Sequence, residues 1–150
     1  MFSLPRRFQD TIRERGLVAA MRLLNTEVPY RYSAIFAFDG YMLRNICLID
    51  KEDPAITSCS DQPITESYCI YVQRSNQKFE VEEALLDPRV KDHPKRSLFQ
   101  CYYGVPLYGP NGKILGTVCH FDSAPIAATA EVATDLDELA PVIAEAAFAG

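Results

Sequence analysis

Residues 98–122 read Leu98-Phe99-Gln100-Cys101-Tyr102-Tyr103-Gly104-Val105-Pro106-Leu107-Tyr108-Gly109-Pro110-Asn111-Gly112-Lys113-Ile114-Leu115-Gly116-Thr117-Val118-Cys119-His120-Phe121-Asp122. Two strand-forming runs, Leu98 to Tyr108 and Lys113 to Asp122, flank the turn Gly109-Pro110-Asn111-Gly112, which predicts a β-hairpin. Pairing Tyr108 with Lys113 sets Cys101 opposite His120, Tyr103 opposite Val118 and Leu107 opposite Ile114 on one face. The other face then carries Gln100, Tyr102, Gly104, Pro106, Leu115, Thr117, Cys119 and Phe121. Both faces are largely apolar, so both must be covered. A slip of one residue would exchange the two faces.

A second hairpin is predicted upstream. Tyr32 to Phe38 alternates, and Asp39-Gly40 is a tight-turn signal before Met42 to Ile49. Residues 51–65 hold Pro54, Ser58, Ser60, Asp61 and Pro63 and read as loop. Glu66 to Arg74 reads as a short helix capped by Thr65, and Lys78 to Val81 as a short strand. Asp87-Pro88 and His93-Pro94 punctuate the stretch that follows. Helices are expected at both ends: 1–28, with Phe8, Ile12, Ala19 and Leu23 as the apolar stripe weakened by Gly16, and 128–148, with Val132, Leu136, Leu139 and Ile143. Pro141 should kink the second helix or mark a new start.

Residues 1–31 carry six arginines against three carboxylates, whereas 123–150 carry five carboxylates and no cation. The terminal helices are therefore a basic and an acidic one, either packed side by side or solvated independently. They are expected to cover one face of the sheet, with the irregular segment 51–97 as a lid over the other. A small-molecule pocket would form beneath such a lid.

The 150 residues are 48% apolar and 23% charged, which suits one globular domain with a single core. A net charge of −5 argues against a nucleic-acid binder, and no apolar run approaches the ~20 residues of a membrane span. The charged residues of 6–15 leave no signal-peptide core, so the expected location is cytoplasmic. The five cysteines, Cys47, Cys59, Cys69, Cys101 and Cys119, cannot all pair within one chain, which fits a reducing compartment.

Several of these segments resemble a GAF domain. Tyr103-Gly104-Val105-Pro106-Leu107, Asn111-Gly112-Lys113 and Leu115-Gly116-Thr117-Val118-Cys119-His120-Phe121-Asp122 resemble the family's last hairpin. Ser67-Tyr68-Cys69 resembles the Ser-Phe-Cys opening of a short helix in one branch, and Asp87-Pro88-Arg89 resembles its Asp-Pro-Arg-Phe segment. Arg31-Tyr32 to Phe38-Asp39-Gly40 fits the family's first strand and turn. The likeness runs over roughly residues 20–148 in order. It implies an α+β fold: a twisted antiparallel sheet with the terminal helices on one face and a lid of short helices and loops on the other, 30–122 supplying sheet and lid. It also implies a stand-alone small-molecule sensor in signal transduction, with its output through a homodimer of the terminal helices or a separate signalling protein.

The enzymatic branch of the family, the free methionine-(R)-sulfoxide reductases, uses thiols. Cys59 and Cys69 are spaced like two of that enzyme's cysteines, but the position of its attacking cysteine falls near Lys95. Its substrate-binding acids fall at Tyr102 and near Cys119 and Phe121, so the resemblance implies no enzyme. The dipeptide Cys119-His120 lies in a strand and not on a lid helix, which does not suit bilin attachment. His93, Cys101, Cys119 and His120 lack the spacing of a metal site, so no cofactor or metal is expected, and buried cysteines would act as small apolar residues. Asp122 is read as a turn acceptor, and Arg89 as either an anion ligand or an ion pair with Asp87 or Asp92. Tyr68, Tyr71, Tyr102 and Tyr103 group near the expected pocket, as core or as ligand cage. The expected ligand-binding residues are Cys69, Phe79, Arg89, Tyr102, Thr117, Cys119 and Phe121, for an unidentified ligand. The competing readings are a ligand-free interaction module and a divergent reductase-like thiol enzyme.

Overall fold

Ser3 opens the first helix by accepting a bond from the Arg6 amide at 3.4 Å, and Pro5 starts it with a preset φ. The computed structural model describes residues 2–148; residues 1, 149 and 150 of the expected single domain lie outside the described residues. The expected N-terminal helix is two helices, α1 (Leu4–Arg15) and α2 (Leu17–Thr26), because Gly16 adopts φ 92° and ends the first. The break rephases the apolar stripe. Phe8 is buried and Ile12 partly so, as the spacing predicts, but α2 buries Ala20, Met21 and Leu24 in place of Ala19 and Leu23. At the other end, after the lid helix α3 (Cys69–Ser75), the chain closes with α4 (Ala130–Phe148), which Thr129 caps through the Val132 amide. Pro141 lies inside α4 and is not a new start; it removes one donated bond and leaves the helix continuous.

Six strands form one antiparallel sheet: β1 (Tyr32–Asp39), β2 (Met42–Asp50), β3 (Gln62–Pro63), β4 (Phe79–Val81), β5 (Cys101–Tyr108) and β6 (Ile114–Asp122), in the order β3-β2-β1-β6-β5-β4. The two expected hairpins are present, and β1 joins β6 so that they become one sheet. β3 is two residues at the edge of the segment expected to be pure loop, held against Met42 and Leu43. A bulge at Ile35/Phe36 leaves Ile46 unpaired, and the Asn45 amide fills it with bonds to the Ile35 and Cys47 carbonyls.

The register of the last hairpin differs from the expected one by two residues. Cys101 faces Asp122, Tyr103 faces His120 and Leu107 faces Gly116. The turn takes in Lys113, with Gly109 N–H bonded to the Lys113 carbonyl at 2.8 Å, and a bulge at Leu107/Tyr108 adds the second residue. A shift of two preserves the faces. Ile114, beyond the bulge, moves to the lid side.

The helix-side core joins Phe8, Met21, Leu24, Leu136, Leu139 and Ile143 to Ile35, Tyr103, Val105, Leu107 and Val118 of the sheet. α1 and α4 lie side by side. Among the described residues their ion pairs do not join them: Arg7 meets Glu27 at 2.6 Å and Arg13 meets Asp10 at 2.5 Å, while α4 receives Lys78 on Asp137 at 3.7 Å. Asp122 accepts the Arg31 amide at 2.8 Å and the Ala124 amide at 3.0 Å, the turn role expected of it. Arg31 also grips Asp50 through two bonds, and this holds the Asp50 carboxyl below the usual carboxylate range.

Beneath α2 the core holds a polar chain. The Asn25 amide donates to Ser33 Oγ at 2.8 Å, Ser33 Oγ lies 2.7 Å from His120 Nδ1, and Tyr30 stacks on His120 at 5.3 Å. His120 is buried, and that burial, with the nearby Lys51 charge, pushes its pKa from 6.5 down to about 3. The ring is therefore neutral, and its Nδ1 shares a hydrogen bond with Ser33 Oγ. Because the folded value lies below the unfolded one, the unfolded chain binds the extra proton between the two. The stability from neutral His120 is complete above pH 6.5 and is lost as pH falls from there toward 3. Urea titrations between pH 7 and 5 are expected to show up to ~1.4 kcal/mol lost per pH unit from this group, and His120→Gln to remove that part of the slope.

Candidate functional site

The lid begins with a 3-10 turn at Ile64–Glu66 and the helix α3 (Cys69–Ser75). Thr65 falls inside the 3-10 turn and does not cap α3; Ser67 Oγ does the local work by accepting the Cys69 amide at 3.1 Å. Two more 3-10 turns, Ala84–Leu86 and Pro88–Val90, continue the lid, the last capped by Asp87.

Three sheet rows shape what lies beneath. Tyr32, Phe121 and Tyr102 form a row across β1, β6 and β5. The next row is Ala34, Cys119 and Gly104, and the third is Phe36, Thr117 and Pro106. Small side chains between two bulky rows leave a trough. Cys69 packs against this floor. Tyr102 lies over the second row because Gly104 has no Cβ; one there would sit 2.1 Å from the Tyr102 hydroxyl.

Beside the trough is a cavity of about 250 Å3. Its sheet wall is Tyr32, Phe36, Leu48, Tyr102, Cys119 and Phe121. Its lid wall is Cys59, Gln62, Glu66, Ser67, Tyr68, Lys95 and Phe99. Tyr32 stacks on Phe121 at 5.0 Å, Phe99 meets Phe121 edge-on at 5.0 Å, and Tyr68 meets Tyr102 at 5.7 Å. The Tyr68 hydroxyl donates to the Phe99 carbonyl at 2.8 Å, tying the lid's two ends together. The interior is thus apolar and aromatic. Polar groups gather on the lid side, where Lys95 stands 3.9 Å from Glu66.

Of the expected ligand-binding residues, Tyr102, Cys119 and Phe121 line this cavity. Cys69 and Thr117 lie behind it, fully buried, 3.2 Å apart, and the Tyr102 hydroxyl donates to Cys69 Sγ at 3.1 Å. Burial opposes ionisation of the Cys69 thiol, but donors from Cys119, Ser67, Thr117 and Tyr102 outweigh it and draw the thiol down. Burial pushes Cys119 and Tyr102 well up. Phe79 and Arg89 do not join the cavity. Arg89 stacks over Phe79 at 4.7 Å, forks onto Asp87 at 2.6 Å and, with Phe79, borders a separate depression near the start of α4. Asp87 pairing satisfies Arg89, as its structural reading expected. The expected tyrosine group is split: Tyr103 belongs to the helix side, and Tyr71 stacks on Phe79 at 4.6 Å. Cys101 and His120 face the helices, Cys119 faces the lid and His93 sits within the lid, so these four do not converge.

Tyr32, Phe99, Glu66 and Lys95 enter the site without having been expected there. Tyr32 arrives through β1–β6 pairing, which no local pattern encodes. Lys95, near which the resemblance places a reductase's attacking cysteine, lines the cavity.

The comparisons follow this geometry. No family model matches the sequence. The GAF domain of an Acinetobacter phosphoenolpyruvate-protein phosphotransferase superposes with a TM-score of 0.76 at 13% identity, covering 97% of this chain and 94% of that one. The free methionine-R-sulfoxide reductase of Neisseria meningitidis, in complex with its substrate, superposes with a TM-score of 0.73 at 16% identity, covering 95% and 84%. A cyclic di-GMP phosphodiesterase of Pseudomonas aeruginosa is 36% identical over 72 residues, 46% of this chain and 12% of its own length. The chain thus spans a small part of that relative.

Gly104→Ala is expected to displace Tyr102 and destabilise the fold by about 1–3 kcal/mol. Tyr102→Phe, which keeps the ring and loses the bond to Cys69, should cost about 1 kcal/mol. Urea midpoints check both, and an unchanged midpoint for Gly104→Ala would contradict the placement of Tyr102. With a six-stranded antiparallel sheet between terminal helices and a short-helix lid, the chain has the fold of GAF domains.

Proposed function

We propose that this chain is a non-enzymatic sensor domain that binds a small molecule in the cavity between sheet and lid. The observation that carries the reading is the aromatic enclosure itself, about 250 Å3 walled by Tyr32, Tyr68, Phe99, Tyr102 and Phe121, with Lys95 and Glu66 on one side. Such a site suits a planar, mostly apolar ligand with one charged or hydrogen-bonding end. That a reductase of this fold holds its substrate in a complex, and that a cyclic di-GMP phosphodiesterase shares a stretch with this chain, support a ligand-binding role in signalling. Of the expected ligand residues, Tyr102, Cys119 and Phe121 would touch the ligand, while Cys69 and Thr117 would position the floor. Occupancy would order the lid. The terminal helices would pass that on, to a second copy or to a separate signalling protein.

The interaction-module reading draws on a different feature, a groove of about 660 Å3 between α4 and the β5–β6 turn, lined by Pro106, Tyr108, Pro110, Ala140 and Pro141. Native mass spectrometry of freshly purified protein, beside the denatured mass, separates the two. A non-covalent adduct lost on denaturation is expected, and it should be absent from Phe121→Ala that retains the wild-type circular dichroism. A bare dimer, with no amide shifts around the cavity in NMR titrations with one- and two-ring aromatic acids and amines, would favour the interaction module. Where a fragment binds, Phe121→Ala should weaken it about tenfold or more, the equivalent of ~1.4 kcal/mol. Turnover of free methionine sulfoxide by the wild type that disappears in Cys69→Ser would instead establish the thiol-enzyme reading.

A further inference from the structure

The depression that Phe79 and Arg89 border, about 410 Å3 in volume, lies where the edge strand β4 meets the start of α4. Tyr103 forms part of its wall, opposite Glu80 in the β4–β5 ladder. Tyr103 is 3% exposed, and its hydroxyl has no hydrogen-bond partner among the described residues. A buried hydroxyl in that condition costs the fold free energy until something completes its bonding. The charges felt most at the hydroxyl are those of Lys78 and its partner Asp137, so it is directed toward the Lys78 side of the depression. Burial pushes the Tyr103 pKa up, so the hydroxyl keeps its proton at neutral pH and offers it as a donor.

Two further donors stand around that hydroxyl. Lys78 Nζ is 3.7 Å from Asp137, and both side chains are more than half exposed. Such a surface pair is weak, so Lys78 turns toward a guest at little cost. The other donor is the first turn of α4. Thr129 Oγ1 accepts the Val132 amide at 3.1 Å, and the Thr129 carbonyl accepts the Ala133 amide at 3.1 Å. The Ala130 and Glu131 amides ahead of them have no acceptor within the helix. Ala130 lines the depression, so the positive end of a 19-residue helix opens on it.

We propose that this depression binds a small monocarboxylate, which accepts from the Tyr103 hydroxyl, the Lys78 ammonium and the Ala130 amide. Charge sets the class of ligand. Arg89 is committed to Asp87 and to the Glu80 carbonyl, which leaves Lys78 to face Glu80, the one carboxylate among the described lining residues. A second negative charge on the guest would go uncompensated there, so a carboxylate fits where a phosphate dianion does not. The small side chains of Ala128 and Ala133 give the acid's short apolar remainder a surface to lie on. This site is separate from the cavity between sheet and lid and stands whether or not that cavity holds a ligand.

Amide NMR titrations of the wild-type chain with sodium acetate, butyrate and phosphate, at constant ionic strength, test this. Both carboxylates are expected to give saturable shifts at Tyr103, Ala130 and Glu131, with butyrate the tighter, and phosphate to give none there. Tyr103→Phe keeps the ring and should weaken butyrate about tenfold, the equivalent of one hydrogen bond to a charged group. Its urea midpoint should stay level or rise, because the lost hydroxyl had no partner in the fold. Lys78→Met, a surface change, should also weaken butyrate. No saturable shift at the start of α4 would overturn the proposal, as would undiminished butyrate binding by Tyr103→Phe. A lower midpoint for Tyr103→Phe would show that the hydroxyl is already bonded within the fold and would equally overturn it. Phosphate binding as tightly as butyrate would overturn the assignment to carboxylates.

Discussion

The antiparallel ladder between β1 and β6 is the contact on which the rest of this structure depends. It runs from Tyr32 opposite Phe121 to Ala37 opposite Gly116 and makes one sheet from two hairpins that are remote in the chain. Its close end requires glycine: a Cβ on Gly116 would lie 1.9 Å from the Phe36 carbonyl oxygen. Without this ladder each hairpin would keep an open edge and two apolar faces, and neither could be stable alone. With it the central strands are buried on both faces, and helices and lid acquire a common surface to cover.

The two coverings are chemically different. The helix side is mostly aliphatic, with Phe8, Tyr30 and Tyr103 among its apolar residues, and carries a hydrogen-bonded chain of Asn25, Ser33 and His120. It behaves as a core, and its neutral histidine makes it sensitive to acid. The lid side is aromatic and thiol-bearing, and its short helix and 3-10 turns bury less of themselves. Cys69 and Tyr102 cover the small row Ala34–Cys119–Gly104, and the hollow lies beside it.

Periods and turns carried much of the architecture. Both hairpins, the α4 stripe, the short helix and strand of the lid and the two-faced burial of the last hairpin follow from alternation and turn residues close in sequence. The faces survived a register different from the simple one, because the wider turn and the bulge each add one residue and parity is kept. The break at Gly16 was partly visible as a weak point, but its effect on which residues of α2 point inward depends on a single backbone angle. For the site, Tyr102, Cys119 and Phe121 could be read from the strand face, whereas Phe79 and Arg89, drawn from the lid's sequence, turned to each other and to Asp87.

What the sequence determined by itself was local: where strands, turns and helices lie, and which side chains share a face, since backbone geometry sets those periods within a few residues. The tertiary structure alone decided which strands become neighbours and which lid residues reach the hollow. Tyr32 joins Phe121, Lys95 meets Glu66 and Cys69 reaches Thr117 across about 30 to 90 residues of chain, through packing whose energy belongs to the assembled layers and to no single segment.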